Sequence, residues 1–415
     1  MNTSVIIIGG GLSGLTAARQ LHSNNIDFIL LEASDRIGGR VKTDVLDGYR
    51  LDHGFQVLLT AYPEAKRWLD YKKLDLQNFL PGALLLHTDG AKDRIGDPLR
   101  DFSSLFPTVF SNAGNLGDKL RILKLKNRLS NLSISEIFQQ EEIATKAALA
   151  KEYGFSSKMI DRFFTPFFSG IFLEKELATS RRMFDFVFKM FGEGETAVPN
   201  LGMEEIPKQL AASLPKDAIK TDTRVEKIDG QTVYLTDGSS YAATNIIIAT
   251  EATSLVKASA NVKTTHQSTT HLHFIADSNP IDKPLIALNT NPQRLSNNIC
   301  TINQVAKGYG SGDKFLLSIS VVGTTSMSSA ELEKSVKKEL EASFGNATQA
   351  WKLLHIRKVD YALPSQKKVQ HQIAPEQYKI RKGLLGCGDY QSNGSINAAM
   401  RAGREVAETL IGELV

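Results

Sequence analysis

A chain of 415 residues exceeds the size at which one hydrophobic core stops growing, so two packed domains are expected. Its 42% hydrophobic and 23% charged residues are ordinary globular usage and exclude disorder, collagen and coiled coil. The 49 basic against 45 acidic residues leave +4, too small a surplus to argue for nucleic acid. The two cysteines, Cys300 and Cys387, exclude a disulfide framework or cysteine-built zinc site and point to a reducing, cytoplasmic setting.

Val5 to Ile8 is a β-branched run closed by Gly9 and Gly10, which predicts a strand buried on both faces. It is too short for a signal peptide and lacks the positive flank; nowhere does an apolar run reach the roughly 18 residues of a membrane-spanning helix. Leu12, Leu15, Ala18 and Leu21 follow at near-helical spacing until Asn24 and Asn25, and Asp27 to Leu31 predicts a second strand. That is a strand, helix, strand unit within about thirty residues.

Residues 100–200 read as mostly helical and hold ten of the 20 phenylalanines, between Phe155 and Phe191. Residues 221–250 return to β character, with a turn at Asp237-Gly238. Several strands are predicted over 265–322, a helix from Ser329 to Phe344 with Glu331 in its first turn, and a strand from Lys352 to Val359. Residues 383–410 give strand, glycine turn and helix. With no repeat and no linker, the domains are expected to interleave, the sheet opened at Val5 being completed by segments far along the chain.

Gly9, Gly11 and Gly14 form GxGxxG between the first strand and the helix opened by Leu12 and Ser13. The first glycine permits a tight turn, the second lets backbone approach a pyrophosphate, and the third lets helix pack on strand; the helix N-terminus offers free N–H groups. Glu32, at the end of the second strand, stands where a carboxylate accepts hydrogen bonds from ribose hydroxyls and repels a 2'-phosphate. These residues suit NAD and FAD equally.

The next residues distinguish the two. EASDRIGGR, Glu32 to Arg40 with Ala33 second, resembles the extended FAD fingerprint of the flavin amine oxidase superfamily, which includes protoporphyrinogen oxidases and carotenoid desaturases. The resemblance implies Gly38 and Gly39 close to the cofactor and Arg40 beside its phosphates or ribose. DHGFQVLLTAYPEA is similar to the segment beneath the flavin ring, which makes Gly54, Phe55, Gln56 and Val57 flavin-facing; His53 is taken first as structural. Val225 matches a valine whose backbone meets the adenine, and Thr250 closes the strand returning to the cofactor. In GLLGCGDYQSNGSINAAMRAGREVAE, which resembles the family's second FAD motif, Gly388 and Asp389 fall at the ribityl and phosphate region. Ser395 and Ile396 start a helix whose N-terminus favours negative charge on the flavin.

The resemblance implies an α/β fold: a discontinuous Rossmann-like FAD-binding domain of residues 1–80, 200–258 and 380–415, with an inserted α+β substrate domain of residues 81–199 and 259–379. FAD is expected to be noncovalent, because Cys387 is not at the covalent position of monoamine oxidases; Ser395 falls where those enzymes place a tyrosine of their aromatic cage, which weakens a simple amine oxidase reading. The phenylalanines, similar in FFTPFFSGIF to a protoporphyrinogen oxidase stretch, imply an apolar pocket, with core packing as the ordinary alternative. The expected activity is hydride removal from a C–H bond of a small, mostly apolar substrate, protoporphyrinogen-like or carotenoid-like, with oxygen or a quinone as acceptor. An amine oxidase and a non-enzymatic prenyl-binding protein of GDP-dissociation-inhibitor type are the alternatives. No catalytic acid, base or metal ligand is assigned. Lys119 to Arg128 is read as a solvated helix face, with peripheral contact to an anionic membrane as the second reading.

Overall fold

The computed structural model describes residues 2–96, 114–251, 255, 265–310 and 312–414. The opening strand, Asn2–Ile8, pairs in parallel with Phe28–Leu31 on one side and Ser240–Ile248 on the other. Val5, Ile6 and Ile7 have no solvent exposure, as a parallel strand covered on both faces requires. Ile219–Lys220 extends this eight-stranded sheet beyond Phe28–Leu31, and Leu384–Gly386 joins Ser240–Ile248 in parallel. An antiparallel pair, Val225–Asp229 and Thr232–Leu235, completes that side. Three widely separated stretches thus build one sheet, as the β-branched runs suggested.

The opening helix Leu12–Ser23 lies against the terminal helix Ile396–Leu414. At their crossing a Cβ on Gly403 would come within 2.0 Å of the Ser13 carbonyl oxygen, so the two backbones touch and only glycine fits. This contact brings the last helix to the first glycine loop.

A second, seven-stranded sheet runs Lys352–Pro364, His266–Ala276, Phe315–Val322, Ser296–Thr301, Ile286–Asn289, Ala83–Leu86, Lys92–Ile95. One face carries Leu272, Phe274, Ile299, Leu317 and Ile319, packed under the helix Ser329–Phe344 through Leu332, Val336 and Leu340. Ser328 and Glu331 cap that helix reciprocally. The opposite face is polar yet buried: Thr269, His271, His273, Asn298, Ser318 and Ser320. The strand expected to end at Val359 continues to Pro364, because Pro364 still pairs with His266; the one expected from Asp27 starts at Phe28.

Helices Leu116–Ser130, Ile134–Gln139, Thr165–Phe172 and Arg181–Glu193 form the expected helical region. Residues 100–113, the start of that expectation, lie outside the described residues. The phenylalanines divide by helix face. Phe155, Phe164, Phe172, Phe184 and Phe186 are buried in the core, with Phe184 against Phe168 at a ring separation of 4.6 Å. Phe163, Phe167, Phe168, Phe188 and Phe191 line a cavity. Among the described residues no helix is long and apolar enough to cross a membrane.

Candidate functional site

A cavity of about 920 Å³ runs between the two sheets and the helical layer. Gly9 sits at φ +109°, a conformation other residues rarely adopt, and a Cβ on Gly14 would stand 1.9 Å from the Gly9 carbonyl oxygen. Gly14 therefore serves packing and does not line the cavity. Gly11 differs: its φ is −75°, and a Cβ there would meet nothing nearer than the Gly39 Cα at 3.9 Å. It faces open space. Gly11 is also the N-cap of the opening helix without a side-chain cap, so the helix N–H groups beside Leu12 and Ser13, both on the cavity wall, have no side-chain acceptor.

Glu32 ends its strand at the same wall, 9% exposed, with Oε2 accepting from the Gly10 N–H at 2.7 Å and Oε1 from Ser34 N–H and Oγ at 2.9 and 2.6 Å. Its position beside the glycine loop is thereby fixed. Gly38, Gly39 and Arg40 line the cavity; Ala33, half-buried, and Val225, half-buried on its hairpin strand, do not.

From the other end of the chain Gly388 and Asp389 enter the same wall. The Arg40 Nη2 lies 2.7 Å from the Asp389 carboxylate, its Nε 3.4 Å from Glu251, and its Nη1 donates to the Ala362 carbonyl at 3.1 Å. Burial works against the Arg40 charge, but Asp389 and Glu251 outweigh it and raise its pKa. Ser395 Oγ accepts from the Ala398 N–H at 3.0 Å, capping the terminal helix, and Ser395 and Ile396 line the cavity, so this helix also presents its N-terminus there. Cys387 is fully buried, and burial pushes its thiol up to about 12, which makes it an unreactive thiol.

Gly54, Phe55, Gln56 and Val57 line the cavity, as does Thr250. Gln56 Nε2 donates to the Arg40 and His53 carbonyls at 2.9 and 3.3 Å, leaving its buried Oε1 without a partner. His53 reaches the cavity wall, but its Nε2 is 2.9 Å from Asp44, which also pairs with Arg36 and Arg357. Burial and then the Arg357 charge lower its pKa. A neutral imidazole held by a carboxylate fits the structural reading of His53.

The remaining wall is mostly apolar, with the five phenylalanines, Ile171, Ile286 and Leu288, and Lys119, Lys126 and Glu195 also line it. Thr269, Asn298 and Ser320 interrupt it from the second sheet, and Glu251 and Tyr390 from loops that follow strands of the first sheet. Sequence reasoning missed all five. The strand HQSTTHLHFIA alternates polar and apolar residues, a pattern that ordinarily marks a solvent face; here the polar side is turned inward.

The polar groups fit FAD: two helix N-termini, an open glycine loop, a fixed carboxylate and Gln56, whose Oε1 has no partner, all lie at the wall of one cavity. Residues 12–411 match the model of the family described as flavin containing amine oxidoreductase. Short stretches are similar to curated proteins: 51% identity over 51 residues with polyamine oxidase 4 of Oryza sativa subsp. japonica, and 53% over 58 residues with lysine-specific histone demethylase 2 of Homo sapiens. Those stretches are 12% and 14% of this chain and only 10% and 7% of the relatives' lengths. In overall fold the chain is similar to a putrescine oxidase mutant redesigned in its cofactor binding, at TM-score 0.73 and 15% identity over 100% of this chain and 99% of that one. It is similar also to an oxidoreductase from Methanosarcina mazei, at TM-score 0.74 and 16% identity over 98% and 100%. A candidate protoporphyrinogen oxidase from Exiguobacterium sp. 255-15 aligns at TM-score 0.69 and 17% identity over 99% of each chain. With the match running from the first turn of the opening helix almost to the end of the last one, this chain belongs to the flavin-containing amine oxidoreductase family, and its cofactor is FAD.

Proposed function

We propose that the protein oxidises a C–H bond of a small, mostly apolar substrate, protoporphyrinogen-like or carotenoid-like, with FAD held noncovalently. The observation that carries this reading is the cavity wall: five phenylalanines and three aliphatic side chains face the space continuous with the Gly54 to Val57 segment. When bound, FAD would supply the hydride-accepting ring for the substrate carbon, with oxygen or a quinone as the terminal two-electron acceptor. The protein's own part is positioning and exclusion of water: the aromatic wall holds an apolar skeleton, while the helix N-terminus at Ile396 favours negative charge at the cofactor end. Desaturation also releases a proton, and no residue is assigned to take it.

A second reading, amine oxidation, is favoured by the similarity of short stretches to polyamine oxidases. Against it stands the aromatic and aliphatic wall, although Glu195 also lines the cavity close to Phe191 in the chain. The prenyl-binding alternative retains the fold without the flavin, so its signature is a colourless protein. Peripheral membrane contact is proposed for Leu116–Ser130, where Leu116 and Leu120 are 69% and 61% exposed at the cavity wall on a helix that also carries Lys119, Lys124 and Lys126.

Anaerobic mixing of the yellow protein with porphyrinogens, carotenes and amines tests the reading. Bleaching of the flavin band by a porphyrinogen or carotene is expected. Bleaching by amines alone selects the second reading, and a protein that takes up no FAD overturns both.

A further inference from the structure

The apolar part of the cavity wall contains a buried hydrogen-bond donor that the fold leaves unused. Asn297 and Asn298 sit on the strand Ser296–Thr301, where the pairing with Phe315–Val322 slips by one residue between Ser296 and Asn298. Asn297 is the extra residue of this bulge. Such a slip turns consecutive side chains toward the same neighbour, and both asparagines meet the helix Thr165–Phe172, where Gly170 makes room for them. A Cβ on Gly170 would stand 2.9 Å from Asn297 Nδ2 and 3.1 Å from Asn298 Oδ1.

The two amides have different fates. Asn297 is fully committed: its Oδ1 accepts from Arg294 Nε at 2.9 Å and its Nδ2 donates to the Pro166 carbonyl at 3.0 Å. That commitment also orients its neighbour, because Asn297 presents its Nδ2 toward Asn298, and only the Asn298 Oδ1 can accept there, at 3.4 Å. Asn298 Nδ2 is therefore the amide atom left buried and without any partner among the described residues. The residue is 4% exposed and lines the cavity beside Leu288 and Ser320. The Ser320 hydroxyl is not its partner and lies 3.2 Å from His271 Nδ1.

A buried donor without an acceptor costs on the order of 1–3 kcal/mol, so a fold that keeps one at a cavity wall has a use for it when the cavity is filled. We propose that Asn298 determines specificity by donating from Nδ2 to an oxygen acceptor on the bound substrate. The substrate class is then an apolar skeleton bearing a carbonyl, carboxylate or ether oxygen at the end that lies between Gly170 and Leu288. A pure hydrocarbon leaves the donor unpaired, and an ammonium group has no lone pair to offer it. This deepens the reading above, on which it rests, by naming a functional group that the substrate must carry.

The test uses the FAD-loaded protein and two probes of equal ring content, benzophenone and diphenylmethane, which differ by a carbonyl in place of a methylene. Affinities are read from the shift of the oxidised flavin band and, independently, from the shift in Tm. The wild type is expected to prefer the ketone by about tenfold, the value of one recovered hydrogen bond. Asn298→Leu and, in case leucine disturbs the packing on Gly170, Asn298→Ala are both expected to abolish the preference. A merely structural role would weaken both probes together and leave their ratio unchanged. Equal affinities in the wild type, a preference that survives in a folded variant, or failure of the ketone to bind overturns the proposal. Failure of every C–H substrate to bleach the flavin would overturn the proposed function, and the ratio of the two probes is measured without any turnover, so the two failures are distinguishable.

Discussion

Arg40 and Asp389, from opposite ends of the chain, lie 2.7 Å apart across the wall of the cavity. The Asp389 side chain is only 8% exposed, so the guanidinium neutralises a carboxylate that has little water of its own. The pair locks the residues after the first glycine loop to the residues before the terminal helix, and so fixes the distance between the two helix N-termini.

Replacing Arg40 by leucine strands that carboxylate. Arg40→Leu is expected to lose about 1–3 kcal/mol of stability and most of the bound flavin. Adding Asp389→Asn returns part of the stability, because no buried charge remains, but not the flavin. Chemical denaturation of the single and double variants, with flavin content measured on the same samples, checks this; undiminished flavin in the single variant contradicts it.

Two glycines of one motif separate folding from binding. Gly14→Ala drives a methyl group into the Gly9 carbonyl, where the open distance is 1.9 Å, and is expected to cost about 1–3 kcal/mol or more and to lower Tm. Gly11→Ala meets only space, with its nearest neighbour at 3.9 Å, and is expected to fold with nearly unchanged apo-protein Tm while losing FAD affinity, since its methyl group occupies the approach to the helix N-terminus. Calorimetry of the apo-protein and FAD titration give the two readouts; equal behaviour of the two variants would sink the distinction.

Asp52 is buried, and burial pushes its carboxyl up to about 6, against the donors Thr43 Oγ1, Tyr309 OH and the Met203 N–H, with the Glu204 charge adding to the rise. A folded-state pKa above the unfolded one means that the native protein binds the proton more tightly. This contribution to stability is complete below the unfolded value near 4 and is lost as pH rises through about 6. Asp52→Asn keeps the site neutral, so the stability of the variant relative to wild type is expected to rise between pH 5 and pH 7, by about 1 kcal/mol. Urea titrations at the two pH values measure it. Asp185 is pushed in the same direction, also to about 6, and is common to both proteins, so the difference reports Asp52 alone.

The exposed leucines of Leu116–Ser130 carry the membrane proposal. Co-sedimentation with vesicles of phosphatidylglycerol and phosphatidylcholine is expected, weakening with salt. Leu120→Glu, a change at a 61% exposed position, should reduce binding about tenfold or more while leaving Tm unchanged. Equal sedimentation of variant and wild type excludes this face.

Most of the cofactor-binding half was legible because its residues answer local demands. The turn at Gly9 needs a positive φ, the helix after Gly11 needs an open N-terminus, and the strand at Val5 is β-branched because both its faces are covered. The helical layer and the second sheet were less legible. Phenylalanine reads alike in a core and on a cavity wall, and only the rotation of each helix separated Phe164 and Phe184 from Phe163 and Phe188. Thr269, Asn298 and Ser320 were hidden because alternation along a strand tells which residues share a face, not which face meets water.

The amino-acid sequence by itself determined the α/β class, the glycine loop, and the distant segments that complete its sheet, since each is written in a local spacing of residue types. Only the tertiary structure decided that Arg40 meets Asp389, that Gly403 lets the last helix rest on Ser13, and that the amide of Asn298 remains unpaired. The physical reason is that these are relations between segments far apart in the chain, set by how backbones pack in three dimensions, and no local pattern carries them.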